Sequence, residues 1–569
     1  MKKNLFFILA AMLMCACSDD EGSNNPVNPQ ENDSIADYTV IFWGMCGTND
    51  GGVACDLFDL ANNYVSGEIG SNVDIAGLMK TSINLTDSTL ADFDMTYYFE
   101  SGDMTGKTIS SEGVEDYIDI YNRAFQVLNA RPYADTSYPL NNTDSLAAFI
   151  QRVAKEHPAH NYVLMLLGHG GGFSPAEETP QNLQNLQNPQ NPQTRACLYD
   201  NYCSSAYLTA DAVVSAVQKS GVDIQTIFTQ CCLMATLENM AAYSQVFDYG
   251  ILSAEVTYSG YFPEYLVRLS QAGNDEEKMQ AASRGLIDYY VAQLDGDSTI
   301  YTSHGFYNLT KTPQLLSIVQ QISSWYATNY PHIPDQIEEA LSSCIFCDNL
   351  KEGDDALARQ KRALIQAISA GVDISDLFEG ASREEIFKQL INMLIDLNYN
   401  TISYGFPLAD VIYVTLDQLT DTENAAEKAV LQNLATQYMQ TLKDMAYIRA
   451  TLVPANADSD YLYRYTSPTI NIFALNQQYF IPLFGTHPRE TLDALMEAYR
   501  SGDESTYLNL MVELFAGTPF AGEVSLETAR TNYTSSVFDR QVRWSTFLQQ
   551  LQFNPSVIYN PDRAQINCQ

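Results

Sequence analysis

The chain has 569 residues, 46% of them hydrophobic, and a formal net charge of −39 from 69 acidic and 30 basic side chains. It is longer than one ordinary domain and apolar enough for a large core, which excludes a small fold held together by disulfides. So acidic a surface argues against nucleic acid or an anionic membrane as a partner and would attract basic ligands.

The N-terminus predicts export. Lys2 and Lys3 precede an apolar stretch over residues 5–14 that is too short to span a bilayer, so residues 1–16 are interpreted as a signal peptide. Ala16 before Cys17 resembles a lipobox, which implies that Cys17 is the lipidation site of a bacterial lipoprotein. Residues 17–36 then form a flexible acidic tether. We expect an outer-membrane lipoprotein, exposed at the cell surface and touching the membrane only through its lipid anchor.

Elements of an open α/β sheet follow. Residues 38–43 predict a first strand. Residues 165–173 (Met-Leu-Leu-Gly-His-Gly-Gly-Gly-Phe) and 227–238 (Ile-Phe-Thr-Gln-Cys-Cys-Leu-Met-Ala-Thr-Leu-Glu) are apolar runs that end in reactive side chains. Between them, Thr209 as N-cap and Gly221 as stop predict a helix, and a strand is predicted over residues 222–228.

Two reactive side chains should therefore meet at one edge of the sheet. The carboxyl ends of parallel strands gather functional groups, and a helical crossover between the runs would bring His169 and Cys232 together. This is the arrangement of a cysteine nucleophile with a histidine base. A helix predicted from Leu233 onward would place Cys232 at a strand-to-helix junction, where the helix dipole lowers the thiol pKa.

The motifs resemble those of the clostripain family of cysteine peptidases, which shares a fold with caspases. The matching segments are residues 167–170 (Leu-Gly-His-Gly), residues 230–235 (Gln-Cys-Cys-Leu-Met-Ala) with Glu238, and residues 253–255 (Ser-Ala-Glu). The resemblance implies a mostly parallel sheet flanked by helices. It also implies catalysis by a His169 and Cys232 dyad, with the amides of Gly170 and Cys232 stabilising the oxyanion.

The substrate pocket departs from the family pattern. Gln230 stands where the family has an acid that receives the Arg or Lys of the substrate, and a neutral amide does not pair a cation as a carboxylate does. Caspases also have Gln there but read acidic side chains mainly with arginines, and residues 42–55 contain none. We assign Gln230, Ser253 and Glu255 to the pocket and leave its specificity open.

Two further properties come from the resemblance. Residues 174–196 are a low-complexity insert that we expect to be mobile. Relatives are cut in this loop after a basic residue, so Arg195 is the candidate processing site, and a plain exposed loop that is not cut is the alternative of equal weight. No cofactor is required. Clostripain itself uses calcium, and Asp50, Asp200 and Glu255 are the acids that could contribute to such a site, although solvated surface acids are the default interpretation. No other metal site is predicted.

The C-terminal half is predicted to be mainly helical. Apolar spacing of three and four indicates helices at residues 286–294, 315–326, 356–368 and 383–397, and residues 467–473 form a late strand that, as in the family, rejoins the central sheet. We divide the chain into a catalytic core at 37–273, a helical elaboration at 274–460 and a C-terminal segment at 461–569 that returns to the core.

Three further features of the sequence lead to structural predictions. Cys231 is predicted to be a buried small residue on the face opposite Cys232, and His304 a structural or surface histidine. The 36 tyrosines predict an aromatic, polar exterior. Together these features predict a lipid-anchored cysteine endopeptidase that cleaves proteins or peptides. The alternative is a catalytically degenerate surface lipoprotein that binds peptides or glycans.

Overall fold

The computed structural model describes residues 35–45, 51–84, 89–104, 106–108, 110, 117–133, 140–173, 198–199, 207–255, 257, 261–294, 302–342, 405–451, 453, 459–472 and 526–551. The predicted helices at residues 356–368 and 383–397 lie outside these ranges.

The strands, in chain order, are β1 Ala36–Met45, β2 Val73–Asn84, β3 Thr89–Glu100, β4 Arg131–Pro132, β5 Ala159–Gly168, β6 Leu198–Tyr199, β7 Tyr207–Leu208, β8 Thr226–Gln230, β9 Tyr249–Leu252, β10 Ser303–Asn308, β11 Gly405–Pro407, β12 Ala446–Ala450 and β13 Thr469–Asn471.

The α-helices are α1 Gly51–Ser66, α2 Tyr117–Val127, α3 Thr143–Glu156, α4 Ala210–Ser220, α5 Leu237–Tyr243, α6 Phe262–Ala272, α7 Glu276–Leu294, α8 Thr312–Asn329, α9 Pro334–Ser342, α10 Leu408–Gln418, α11 Ala425–Met445, α12 Ser459–Thr466, α13 Leu526–Ser535, α14 Val537–Val542 and α15 Ser545–Leu548.

A nine-stranded sheet organises the described chain, in the order β12-β10-β9-β8-β5-β1-β2-β3-β4. Its centre is parallel, because β1 pairs in parallel with β2 and β5, and β8 with β5 and β9. The strands at both margins are antiparallel. The predicted α/β class with a mostly parallel sheet is confirmed, and the carboxyl ends of β1, β5, β8 and β9 lie along one edge.

Alternating side chains of the central strands build two cores. On β1, Ile41 and Trp43 face one core while Val40 and Phe42 face the other, as the period of two in a strand dictates. Helices α3, α4, α5 and α8 cover the first face, and α1, α2, α6 and α7 cover the second. Because both faces are covered, the centres of β1 and β5 are continuous apolar runs.

The predicted crossover helix is confirmed. The Thr209 hydroxyl accepts from the Ala212 amide at 3.0 Å as N-cap of α4, and Gly221 ends the helix with a φ of +66°. The following strand is shorter and later than predicted: β8 begins at Thr226, and residues 222–225 precede it outside the sheet.

Two expectations, one about the late strand and one about the tyrosines, were wrong. The strand predicted at residues 467–473 is β13, which pairs with β11 in a separate two-stranded sheet, and β12 is the late strand that joins the central sheet. The tyrosines of the described residues do not form mainly an exterior, since ten of the twelve largest fully buried side chains there are tyrosines. The division into three segments stays a prediction.

The C-terminal helices close the first face. Trp544 is fully buried, its indole N–H donates to the Asn471 carbonyl at 2.8 Å, and its ring packs against Tyr326 of α8. His304 on β10 is also buried, between the rings of Phe228 and Tyr290. Across the described ranges, no helix is both long and apolar enough to cross a membrane.

Candidate active site

His169 and Cys232 follow two neighbouring parallel strands. The last register pair of β5 and β8 is Leu167 with Gln230, and His169 and Cys232 each lie two residues farther along. The two residues therefore follow neighbouring strand ends at the carboxyl edge of the sheet. Both are partly exposed.

Gly170 brings the two strand ends into contact. A Cβ added to Gly170 would lie 2.2 Å from the carbonyl oxygen of Cys232 and 2.7 Å from its amide nitrogen. No L side chain fits between those backbones, so a glycine is required there for steric reasons. The residue after His169 thus lies directly against the main chain of Cys232.

The two adjacent cysteines have different surroundings. Cys231 is fully buried, with Sγ 3.6 Å from the Leu166 carbonyl oxygen. Cys232 is partly exposed, and its Sγ accepts from the backbone amide of Thr257 at 3.3 Å. The Thr257 carbonyl oxygen lies 3.8 Å from the same sulfur. An N–H directed at sulfur stabilises a thiolate more than a thiol.

The prediction that a helix dipole acts on the Cys232 thiol was wrong. Helix α5 begins only at Leu237, with Thr236 as its N-cap, so a separate turn lies between the thiol and the helix start. Because the dipole acts within the first helical turn, it does not reach Cys232 at useful strength. The amide of Thr257 is the donor that faces the sulfur instead.

The turn after Cys232 is held in a strained conformation. Leu233 has a φ of +63°, in the left-handed region that disfavours a branched side chain. Its amide donates to the Glu255 carbonyl at 3.0 Å, and the Ala235 amide donates to the Ser253 carbonyl at 2.8 Å. These two bonds fasten the turn to the segment that follows β9 and fix the direction of the chain around Cys232.

The three residues assigned to the pocket are all buried. The Ser253 hydroxyl lies 2.5 Å from the Ser303 carbonyl oxygen and accepts from the Glu255 amide at 3.1 Å, so it shapes the turn at the end of β9. Glu255 is 1% exposed. The Gln230 amide nitrogen donates to Oδ2 of Asp56 at 2.8 Å. Their roles in substrate binding stay predictions.

Comparison with known proteins identifies the family. The model of the Clostripain family, Peptidase_C11, matches residues 117–479, which is more than half of the chain. The chain belongs to the Clostripain family. It is a cysteine-type peptidase, and the alternative of a lipoprotein that only binds peptides or glycans has no support among the comparisons.

Solved structures of this family are similar to the chain at low identity. The secreted C11 cysteine protease "iotapain" from Bacteroides thetaiotaomicron has 14% identity and a TM-score of 0.42, covering 77% of this chain and 94% of that one. An inactive zymogen C11 protease from Parabacteroides distasonis has 13% identity and a TM-score of 0.42, with coverage of 77% and 90%. No curated protein matches the sequence.

Asp56 is the residue of this Clostripain-family site that sequence reasoning missed. It lies on α1, 174 residues before its partner Gln230. A local signal exists in hindsight: Val53, Asp56, Leu57 and Leu60 share the spacing of one buried helical face, so Asp56 is an acid among core positions. Only the fold, which packs α1 beside the carboxyl edge, relates it to Cys232.

Several predicted residues lie outside the described ranges, namely Cys17, Asp50, Arg195 and Asp200. Of the three acids weighed for calcium, only Glu255 is described. The described residues contain no group of three or more His, Cys, Asp or Glu side chains that could hold a metal ion. We derive no step of the chemistry through calcium.

Proposed function

We propose that the protein is an exported, lipid-anchored cysteine endopeptidase in which Cys232 is the nucleophile and His169 the general base and acid. The observation that supports it best is the packing of Gly170 against the backbone of Cys232, together with the register of β5 and β8. A nucleophile and its base must approach within hydrogen-bond reach, and neighbouring parallel strand ends provide that proximity.

The reaction is acyl transfer. His169 takes the proton of the Cys232 thiol, and the thiolate attacks the scissile carbonyl carbon. The resulting oxyanion accepts hydrogen bonds from the backbone amides of Gly170 and Cys232. His169 donates a proton to the leaving amine as the peptide C–N bond breaks. It then takes a proton from the water that hydrolyses the thioester, which releases the acid product and regenerates the thiol.

Thr257 has a role before substrate binds. Its amide and carbonyl oxygen lie 3.3 and 3.8 Å from the Cys232 sulfur, which is where a substrate carbonyl must approach. We propose that Thr257 moves away from the sulfur when a peptide enters, and that cleavage at Arg195 is the processing event that accompanies this change. Arg195→Gln should leave the chain uncut if this is correct.

The test of the nucleophile uses the paired cysteines. Cys232→Ala should abolish hydrolysis of a peptide library, while Cys231→Ala should retain most of it, because Cys231 faces the core. His169→Ala should lower kcat by at least about 10²-fold. Full activity in Cys232→Ala combined with loss in Cys231→Ala would reverse the assignment.

The location is tested separately. We propose that Cys17 carries the lipid and that residues 17–36 tether the peptidase to the outer surface of the outer membrane. Cys17→Ala should shift the protein from the membrane fraction to the soluble fraction and remove incorporation of labelled palmitate. Membrane association that persists in this variant without palmitate would contradict the anchor.

A further inference from the structure

We propose that Asp56 is a specificity-determining residue, which acts by fixing the orientation of Gln230 beside the nucleophile. In this arrangement the pocket presents a hydrogen-bond acceptor and a negative charge. It prefers substrate side chains that carry N–H donors and rejects carboxylates. The inference rests on the proposed role of Cys232 and goes beyond it to the selection of substrate.

The position of Gln230 connects it with the reacting group. Gln230 is the last residue of β8, and Cys232 lies two residues farther along, in the turn that follows the strand. Gln230 is 4% exposed and Asp56 is 3% exposed. The pair is therefore a buried hydrogen-bonded contact at the strand end that leads to Cys232.

The carboxylate decides which way the amide points. A carboxylate only accepts hydrogen bonds, so the atom of Gln230 that faces Asp56 at 2.8 Å is the amide nitrogen. The assignment of oxygen and nitrogen in this amide thus follows from its partner. Oε1 is directed elsewhere and, among the described residues, this buried atom has no hydrogen-bond partner.

A buried acceptor of this kind favours a ligand that donates. An unsatisfied polar atom inside a protein is costly, and an N–H from a bound side chain removes that cost. A glutamine with a free amide nitrogen could instead donate to a substrate carboxylate. Here Asp56 already takes that N–H, and its charge repels a second carboxylate in a site of low dielectric.

The wild-type protein provides the first test. Otherwise identical peptides with an electrophilic ketone, ending in Arg, Gln, Leu or Asp, are compared by their rates of Cys232 labelling at pH 8. The Arg and Gln probes should label at least about tenfold faster than the Asp probe. An Asp probe that labels as fast as the Gln probe would overturn the proposal without any variant.

The second test is Asp56→Asn. The new amide lets Gln230 turn its own N–H toward the pocket, so Arg labelling should fall about tenfold while Asp labelling rises. Changes of opposite sign distinguish this role from simple damage, which slows all probes together. An unchanged ratio of Arg to Asp labelling, or equal slowing of every probe in a folded variant, would count against the role of Asp56.

Asp59→Asn is the matched control, since it makes the same change one turn farther along α1. Burial raises the pKa of Asp59 to about 6, so its carboxyl group is ionised at pH 8. The Arg to Asp ratio should stay within about twofold in this control, because Asp59 is not bonded to Gln230. A failure of the proposed function would look different: no probe would label the wild type, or labelling would persist in Cys232→Ala.

Discussion

Two buried carboxylate and amide pairs lie on opposite sides of the turn that contains Cys232. In the first, Oε1 of Glu238 accepts from the backbone and side-chain nitrogens of Asn471, both at 3.0 Å, and from the Tyr533 hydroxyl at 3.2 Å. In the second, Asp56 accepts from Gln230 at 2.8 Å. The same chemical pairing serves two purposes.

The two pairs differ in the hydrogen-bonding capacity that remains on the amide group. Around Glu238, three donors from segments 233 and 295 residues away converge on one oxygen, so the pair fastens the C-terminal part of the chain to α5. Burial raises the pKa of Glu238, which the hydrogen bonds from Asn471 and Tyr533 partly offset. At the active site, Oε1 of Gln230 remains as a hydrogen-bond acceptor for a bound ligand. We infer that the first pair stabilises the fold and the second sets the polarity of the site.

The largest effect is expected from breaking the first pair. Glu238→Ala leaves three buried donors without their acceptor and should lower the free energy of unfolding by about 3–5 kcal/mol. Chemical denaturation measures this directly. Glu264→Ala removes a partly exposed helical ion pair with Arg268 and should cost less than about 1 kcal/mol. Similar losses in the two variants would show that Glu238 is not a fastening point.

His304 is a buried polar side chain that contrasts with both pairs. Among the described residues, neither of its ring nitrogens has a hydrogen-bond partner. Burial lowers its pKa from 6.5 to about 3. Below pH 6.5 the unfolded chain therefore binds a proton that the folded chain excludes, and stability falls as the pH drops toward 3. Within this pH range, His304 changes the free energy of unfolding by about 1.4 kcal/mol per pH unit. Above pH 6.5 it contributes no pH dependence.

His304→Phe should remove that slope, because phenylalanine fills the same space between Phe228 and Tyr290 without titrating. The measurement is the free energy of unfolding at pH 4, 5, 6 and 7.5. His332→Phe, at an exposed position, is the control and should keep the wild-type pH dependence. A slope that survives in His304→Phe would assign the acid sensitivity to other groups.

The sequence predicted those parts of the site that depend on local pattern. His169 and Cys232 end apolar runs, and the cap at Thr209 and the stop at Gly221 identified the crossover helix between them. The start of α5 was wrong because the apolar spacing from Leu233 to Leu237 resembles a helix, while the backbone bonds to Ser253 and Glu255 hold those residues in a turn. Tertiary contacts there override local periodicity.

Pairs between distant segments were beyond sequence reasoning. Asp56 and Gln230 are 174 residues apart, and neither residue alone indicates the other. The late strand was misplaced for a similar reason, since β12 and β13 are both short and only their partners, β10 and β11, decide which sheet each one joins. Short strands carry too little periodicity to specify a partner.

The smallest predicted effect concerns the second pair. Gln230→Glu keeps the length of the side chain but places a carboxylate against Asp56, and two carboxylates at hydrogen-bond distance share one proton, so one pKa rises. At low pH the pair carries a single charge, as the wild type does, and the ratio of Arg to Gln probe labelling should be similar. As the pH rises and the shared proton leaves, the ratio should increase by about tenfold.

The double variant Asp56→Asn with Gln230→Glu keeps one charge throughout, so its ratio should not change between pH 6.5 and 9. If the single and double variants had the same flat profile, residues 56 and 230 would not act as a coupled pair.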